Sequence, residues 1–184
     1  MNITHHPFTN IDAEYFAIKN LLGVIENRPE IDNNWEPGRM DSWRYSYHAE
    51  KDVEFFKANA HYWKTEDDQV VGLFITEYGE DDFFIVLHPD HWDLFDEVLQ
   101  WGIDVWGKEK TKISTEVYTF GHDKIDRLLS AGFVEDGHVE NVRLYELTTY
   151  DFSYDLKSGF AIKTFEEFGD YEERVKLVQD RKSV

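Results

Sequence analysis

Apolar residues fall at Ile11, Tyr15, Ile18, Leu22 and Ile25, and this three-to-four spacing predicts an amphipathic helix over 11–25. Asn10 or Asp12 can cap its start. Residues 26–42 mix Pro, Gly and Asn and read as a loop, with a second short helix expected from near Asp41 through Trp43, Arg44 and Tyr47. His61–Thr65 and Val70–Glu77 flank the acidic turn Glu66-Asp67-Asp68 and predict a hairpin. A third strand, Phe83–Leu87, ends where Pro89 removes a donor. The helix after it is apolar on nearly every side (Leu94, Phe95, Val98, Leu99, Trp101, Ile103, Val105, Trp106), so it should lie against a sheet, with Gly107 as its C-terminal cap. Lys112–Tyr118 alternates and reads as a strand, and His122–Ala131 reads as a short helix closed by Gly132. Phe133-Val134 and Asn141–Leu147 are expected to form a last antiparallel pair.

The order is helix, helix, three strands, helix, strand, helix, two strands. It predicts an α+β fold on a mixed, mainly antiparallel central sheet flanked by helices. The 94–107 helix serves as the crossover between two adjacent parallel strands.

Charge and composition narrow the function. The 184 residues carry a formal charge of −19, from 19 basic and 38 acidic side chains. No basic stripe exists for counterion release, and the densest cluster is Lys108, Lys110 and Lys112, so nucleic acid and anionic membrane are not expected partners. A cationic or amine partner suits such a field. There is no cysteine, which removes disulfides, thiolate metal sites and thiol nucleophiles. The start, MNITHHPF, lacks a signal-peptide layout, and no apolar run is long enough to span a bilayer, so a cytoplasmic location is expected. His88 and His91, with Asp90 and Asp93, have zinc-type donors, but Pro89 breaks any common helix face and no third ligand is fixed, so no metal site is assigned.

Three strings in this order resemble the GNAT N-acetyltransferase superfamily. They are Val-Val-Gly-Leu-Phe-Ile (70–75), Ile-Val-Leu-His-Pro (85–89) before the central helix, and Leu-Leu-Ser-Ala-Gly-Phe (128–133). The resemblance covers about residues 1–150 and implies a GNAT-like acyl-CoA N-acyltransferase fold. The segment Trp35-Glu-Pro-Gly-Arg39-Met-Asp-Ser-Trp43-Arg44 is similar to the loop before the second helix in the N-terminal half of tandem GNAT proteins. Residues 151–184 read as a linker and then a strand, turn and starting helix. Ile162 and Asp170 stand about one domain length after Ile3 and Asp12. The tail therefore resembles the beginning of a second copy, or else it is a C-terminal helix packing back on the domain.

The resemblance implies acetyl-CoA as cofactor, held by strand main chain at Val86 and Leu87, with a glycine-rich basic loop around the pyrophosphate. That loop's first basic position falls near Trp92 and its glycines near Phe95 and Glu97, and none of them matches. Asp93 with Asp96 or Glu97 instead resembles a self-capped helix start. Carboxylates there oppose a diphosphate: at an effective dielectric of about 20, two unit charges 4 Å apart cost roughly 4 kcal/mol. The family's thiolate-protonating tyrosine corresponds to Leu128, and the asparagine opening that helix to Gly121. Tyr118 and His122 are the nearby substitutes, and Glu77 is the general-base candidate.

Three readings follow. In the first, a GNAT-like domain with a degenerate pyrophosphate loop plays a structural or substrate-shaping part beside a second GNAT domain or in a homodimer. In the second, an active enzyme acetylates a small amine with Glu77 as base. In the third, the chain is a non-catalytic ligand-binding module that uses the Trp35–Arg44 segment, where Trp35, Arg39, Trp43 and Arg44 form a pocket wall or interface, because Trp and Arg dominate hot spots.

Overall fold

Strand propensity and turn chemistry agree most clearly in the β2–β3 hairpin. In the computed structural model, β2 (Ala60–Thr65) pairs antiparallel with β3 (Val70–Ile75), with a bulge between Trp63 and Lys64. Asp68 takes the left-handed conformation that the tight turn requires, at φ 62°. The structure describes residues 2–26, 28, 31–139, 156–159, 161, 164 and 167. The chain divides into two units, Met1–Asp136 and Gly137–Val184.

In the first unit, β1 (Ile3–Pro7) pairs with β2, and β4 (Phe84–Leu87) pairs with β3, giving a four-stranded antiparallel sheet in the order β1-β2-β3-β4. β1 is absent from the predicted element order. Phe8 N donates to Ala60 O at 2.9 Å, so alternation turns the main chain of Thr4 and His6 toward β2 and that of Ile3, His5 and Pro7 outward. Pro7, which has no donor, therefore stands on the side away from β2, which is unpaired among the described residues.

α1 (Asp12–Glu26) buries Tyr15, Ile18, Leu21, Leu22 and Ile25, as its periodicity requires. Ile11 precedes it and is exposed. Neither Asn10 nor Asp12 caps it with a side chain. Thr9 donates from N and Oγ1 to Glu14 Oε2 at 2.6 and 2.8 Å, while Asn10 and Asp12 receive the Arg44 guanidinium. The 26–42 stretch already turns helical at Pro37: α2 (Pro37–Ser42) runs into a wider π-type turn, Trp43–Tyr47. α3 (Val53–Asn59), capped by Asp52 accepting from Phe55 N, is a further element that periodicity did not reveal.

After β4 the chain does not enter an α-helix directly. A 3-10 turn, Pro89–Leu94, precedes α4 (Phe95–Trp101), which continues as a π-type turn to Trp106, with Gly107 as its cap. Phe95, Val98 and Leu99 are buried against the sheet, and each contributes about 1.5–3 kcal/mol of transfer free energy. Val105 is exposed, so the helix is not apolar-buried all round. At Gly102 a Cβ would meet the Phe74 ring at 2.5 Å, which is how closely helix and sheet approach.

α5 (His122–Ser130) ends at Gly132, φ 94°. The expected strand 112–118 is reduced to one parallel bridge, Asp82↔Ser114, so the crossover to a full parallel neighbour is not made and the sheet proper is antiparallel. Phe133-Val134 is not a strand, and Asn141–Leu147 lies outside the described residues. The sheet carries a core on each face. One contains α1, Trp35, Trp43, Phe84 and Val86, and the other α4, Phe83, Ile85, Leu87 and Leu128.

In the second unit most of 159–175, the expected strand, turn and helix start, also lies outside the described residues. Thr164 donates from N and Oγ1 to Glu167 Oε2 at 2.8 and 3.0 Å, and Glu167 N donates back to Thr164 Oγ1 at 3.3 Å. This reciprocal pattern is a capping box.

Candidate functional site

Strand alternation builds the site. His88 N donates to Val71 O at 2.8 Å, so the main chain of Phe84 and Val86 also faces β3. Phe83, Ile85 and Leu87 face the other way. There Phe83 N donates to Ser114 O at 2.9 Å and Ser114 N to Asp81 O at 2.8 Å, and the pairing then stops. Beyond it Ile85 and Leu87 direct their main-chain groups into an opening between β4 and residues 116–118. Of the two expected cofactor-contact positions, Leu87 faces this opening and Val86 faces β3. Ile85 was missed, although strand alternation counted from a bonded residue would have found it.

The facing edge is taken up by this chain's own side chains. Asn34 Nδ2 donates to Glu116 O at 3.0 Å, and Tyr118 N donates to Asp32 Oδ1 at 3.3 Å. Asp32 Oδ2 pairs with Lys124 Nζ at 3.4 Å, and both side chains are almost wholly buried. Burial lowers the Lys124 pKa, against the Asp32 charge, which raises it. Gly121 belongs to the same arrangement: a Cβ there would lie 2.6 Å from Asp32 Oδ2.

At the junction after β4, Asp96 and Glu97 are committed to protein partners, and no side chain caps α4. His88 Nδ1 accepts from Asp90 N at 3.3 Å. Asp96 pairs with Arg127 at 2.8 Å, Glu97 accepts from Trp63 Nε1 at 3.0 Å, and Trp92 Nε1 donates to Asp123. Arg127 also pairs with Asp123 at 3.3 Å, so the junction is tied to α5. No glycine lies between His88 and Glu97, and Arg127, the cation paired with Asp96, is paired with Asp123 as well. These residues do not fit a diphosphate. Among the described residues, no group of three His, Asp or Glu side chains is placed to hold a metal ion.

Glu77 is fully engaged. Its carboxylate takes Arg39 Nη2 at 2.6 Å and Nε at 3.3 Å, its N donates to Asp82 Oδ2 at 3.1 Å, and its O accepts from Trp43 Nε1 at 3.0 Å and from His48 Nε2 at 2.6 Å. A carboxylate locked this way is poorly disposed to take a proton from a substrate. Tyr118 stacks on Phe120, and burial together with the charges of Glu36 and Asp32 raises its pKa, which weakens it as an acid.

Trp35 and Trp43 are fully buried, which leaves them no surface to offer a partner. The Arg39 guanidinium lies over the Trp35 and Phe84 rings at 4.5 and 4.4 Å and donates to Asn34 O at 2.7 Å. Trp35, Arg39 and Glu77 thus meet beside β4. Arg44 is buried elsewhere, fastening Asn10 and Asp12 at the head of α1.

No family model and no curated protein matches the chain. Among solved structures, the chain is similar to a dodecameric spermidine N-acetyltransferase from Vibrio cholerae in an intermediate state. That likeness has 17% identity and a TM-score of 0.53, and covers 74% of this chain and 82% of that one. It is likewise similar to a point mutant of SpeG spermidine N-acetyltransferase from Vibrio cholerae, at 17% identity and a TM-score of 0.50, with the same coverage of both chains. What the likeness shows is a shared fold, an antiparallel sheet flanked by helices.

Proposed function

We propose that this chain is a GNAT-like acetyltransferase domain whose acetyl-CoA site is degenerate and whose role is structural or substrate-shaping. One observation carries this reading. The strand-to-helix junction after β4, where a diphosphate would need main-chain N–H groups and a free cation, is closed by side-chain bonds from Trp92 and Asp96 to α5. The engaged state of Glu77 supports it further. The domain packs beside a second GNAT domain or a second copy.

Titration calorimetry with acetyl-CoA tests the reading. No binding up to about 1 mM is expected, and micromolar binding would overturn it.

The open edge at Ile85 and Leu87 favours a second reading, an acetyl-CoA-dependent N-acetyltransferase acting on a small amine in the cytoplasm. The charge of −19 suits a cationic acceptor, and the similar structures are spermidine N-acetyltransferases. Turnover of spermidine and simpler amines, followed by thiol release, separates it from the first.

A further inference from the structure

The opening beside β4 is bridged from face to face by one side chain. Trp35, three residues after Asp32, packs in the core on the α1 side of the sheet, its ring 5.1 Å from Phe84. Lys124 lies one turn before Leu128, which packs in the core on the α4 side. The Asp32 carboxylate connects these two sides, accepting from Tyr118 N and pairing with Lys124. Arg39 secures the segment from behind through Asn34 O, Trp35 and Glu77. Extended-strand partners of 116–118 are thus replaced by Asn34 and Asp32. The anion-binding point made by Tyr118 N–H, Lys124 and the uncapped start of α5 is filled from within.

We propose that residues 31–39 form an intramolecular strap that plugs the sheet opening with Asp32, so that an extended thioester ligand enters only by displacing Asp32 from Tyr118 and Lys124. This rests on the GNAT-like reading of the opening and gives it a second cause of closure, independent of the acidic junction. The strand-edge donors and acceptors of Ile85 and Leu87 match an extended amide-bearing arm, and the thioester at its end comes from the acetyltransferase-like reading.

The test uses the full chain, its Asp32→Ala variant and, as a milder change, Asn34→Ala, whose side chain contributes only the Glu116 contact. Amide exchange is read over 114–118, and binding of acetyl-pantetheine, a thioester without the diphosphate, is read by calorimetry. In Asp32→Ala, exchange at Tyr118 should rise at least about tenfold while the β2–β3 amides hold. The variant should also bind acetyl-pantetheine at least about tenfold more tightly than wild type. Asn34→Ala should move both readouts in the same direction by less, and it decides the matter if Asp32→Ala fails to fold. Unchanged exchange over 114–118, or equal or absent binding by wild type and variants, overturns the strap. Tight binding of acetyl-CoA by wild type instead overturns the functional reading, and the exchange readout keeps the two failures apart.

Discussion

Arg39 grips Glu77 at two points, Nη2 to Oε2 at 2.6 Å and Nε to Oε1 at 3.3 Å, and so fastens α2 to the end of β3. Both side chains keep only about a fifth to a quarter of their surface, at 24% and 21% exposure. Removing the cation by Arg39→Ala should cost about 2 kcal/mol, between the values for exposed and fully buried pairs. Arg39→Lys should recover only part of this, because an ammonium neither grips both oxygens nor lies flat on Trp35 and Phe84. Urea unfolding measures both variants, and a lysine variant as stable as wild type would contradict the two-point role.

His61 sets an acid limit. Burial, with smaller contributions from the neighbouring His5 and His6 charges, lowers its pKa from 6.5 to about 4. A histidine with a folded pKa below its unfolded value binds fewer protons when folded. Its contribution is therefore complete above pH 6.5 and is lost progressively as pH falls toward 4. Urea midpoints at about pH 7 and pH 5 should converge in His61→Gln relative to wild type, and an identical pH slope in both proteins would refute the assignment.

Two glycines should respond oppositely to alanine. Gly23 lies inside α1 with nothing within 4 Å of a Cβ, so Gly23→Ala should stabilise by about 0.5–1 kcal/mol. At Gly102 the same Cβ would strike the Phe74 ring at 2.5 Å, so Gly102→Ala should destabilise by about 1–3 kcal/mol through overpacking. Thermal unfolding of the two variants beside wild type reads both signs.

Gly121→Ala bears on the loop side of the opening. Its Cβ would lie 2.6 Å from Asp32 Oδ2, and a carboxylate held by buried Lys124 cannot swing aside freely. A loss of about 1–3 kcal/mol is expected in urea unfolding, and a neutral result would mean that Asp32 shifts without cost.

Elements whose partners lie nearby in the chain were legible. The β2–β3 hairpin and the buried face of α1 follow from alternation and from 3.6-residue periodicity. Residues 112–118 alternate just as well, yet make only one bridge, because pairing requires a partner edge and Asn34 and Asp32 meet that edge first. The acids at 96 and 97 looked like caps because capping is the local option. Their actual partners, Arg127 and Trp63, are 31 and 34 residues away. Likewise Trp35, Arg39 and Glu77 were each singled out, but Asp32 and Lys124 were not, since no short motif joins a loop aspartate to a distant helix lysine.

Pro7 has a consequence for behaviour at high concentration. An exposed outer strand is a template on which copies can stack into fibres, and each rung needs its donor. With no N–H at Pro7, and only Ile3 and His5 to offer one beside it, a recruited strand would find a broken ladder after two rungs. The residue that ends the first strand thereby acts as a gatekeeper against runaway polymerisation.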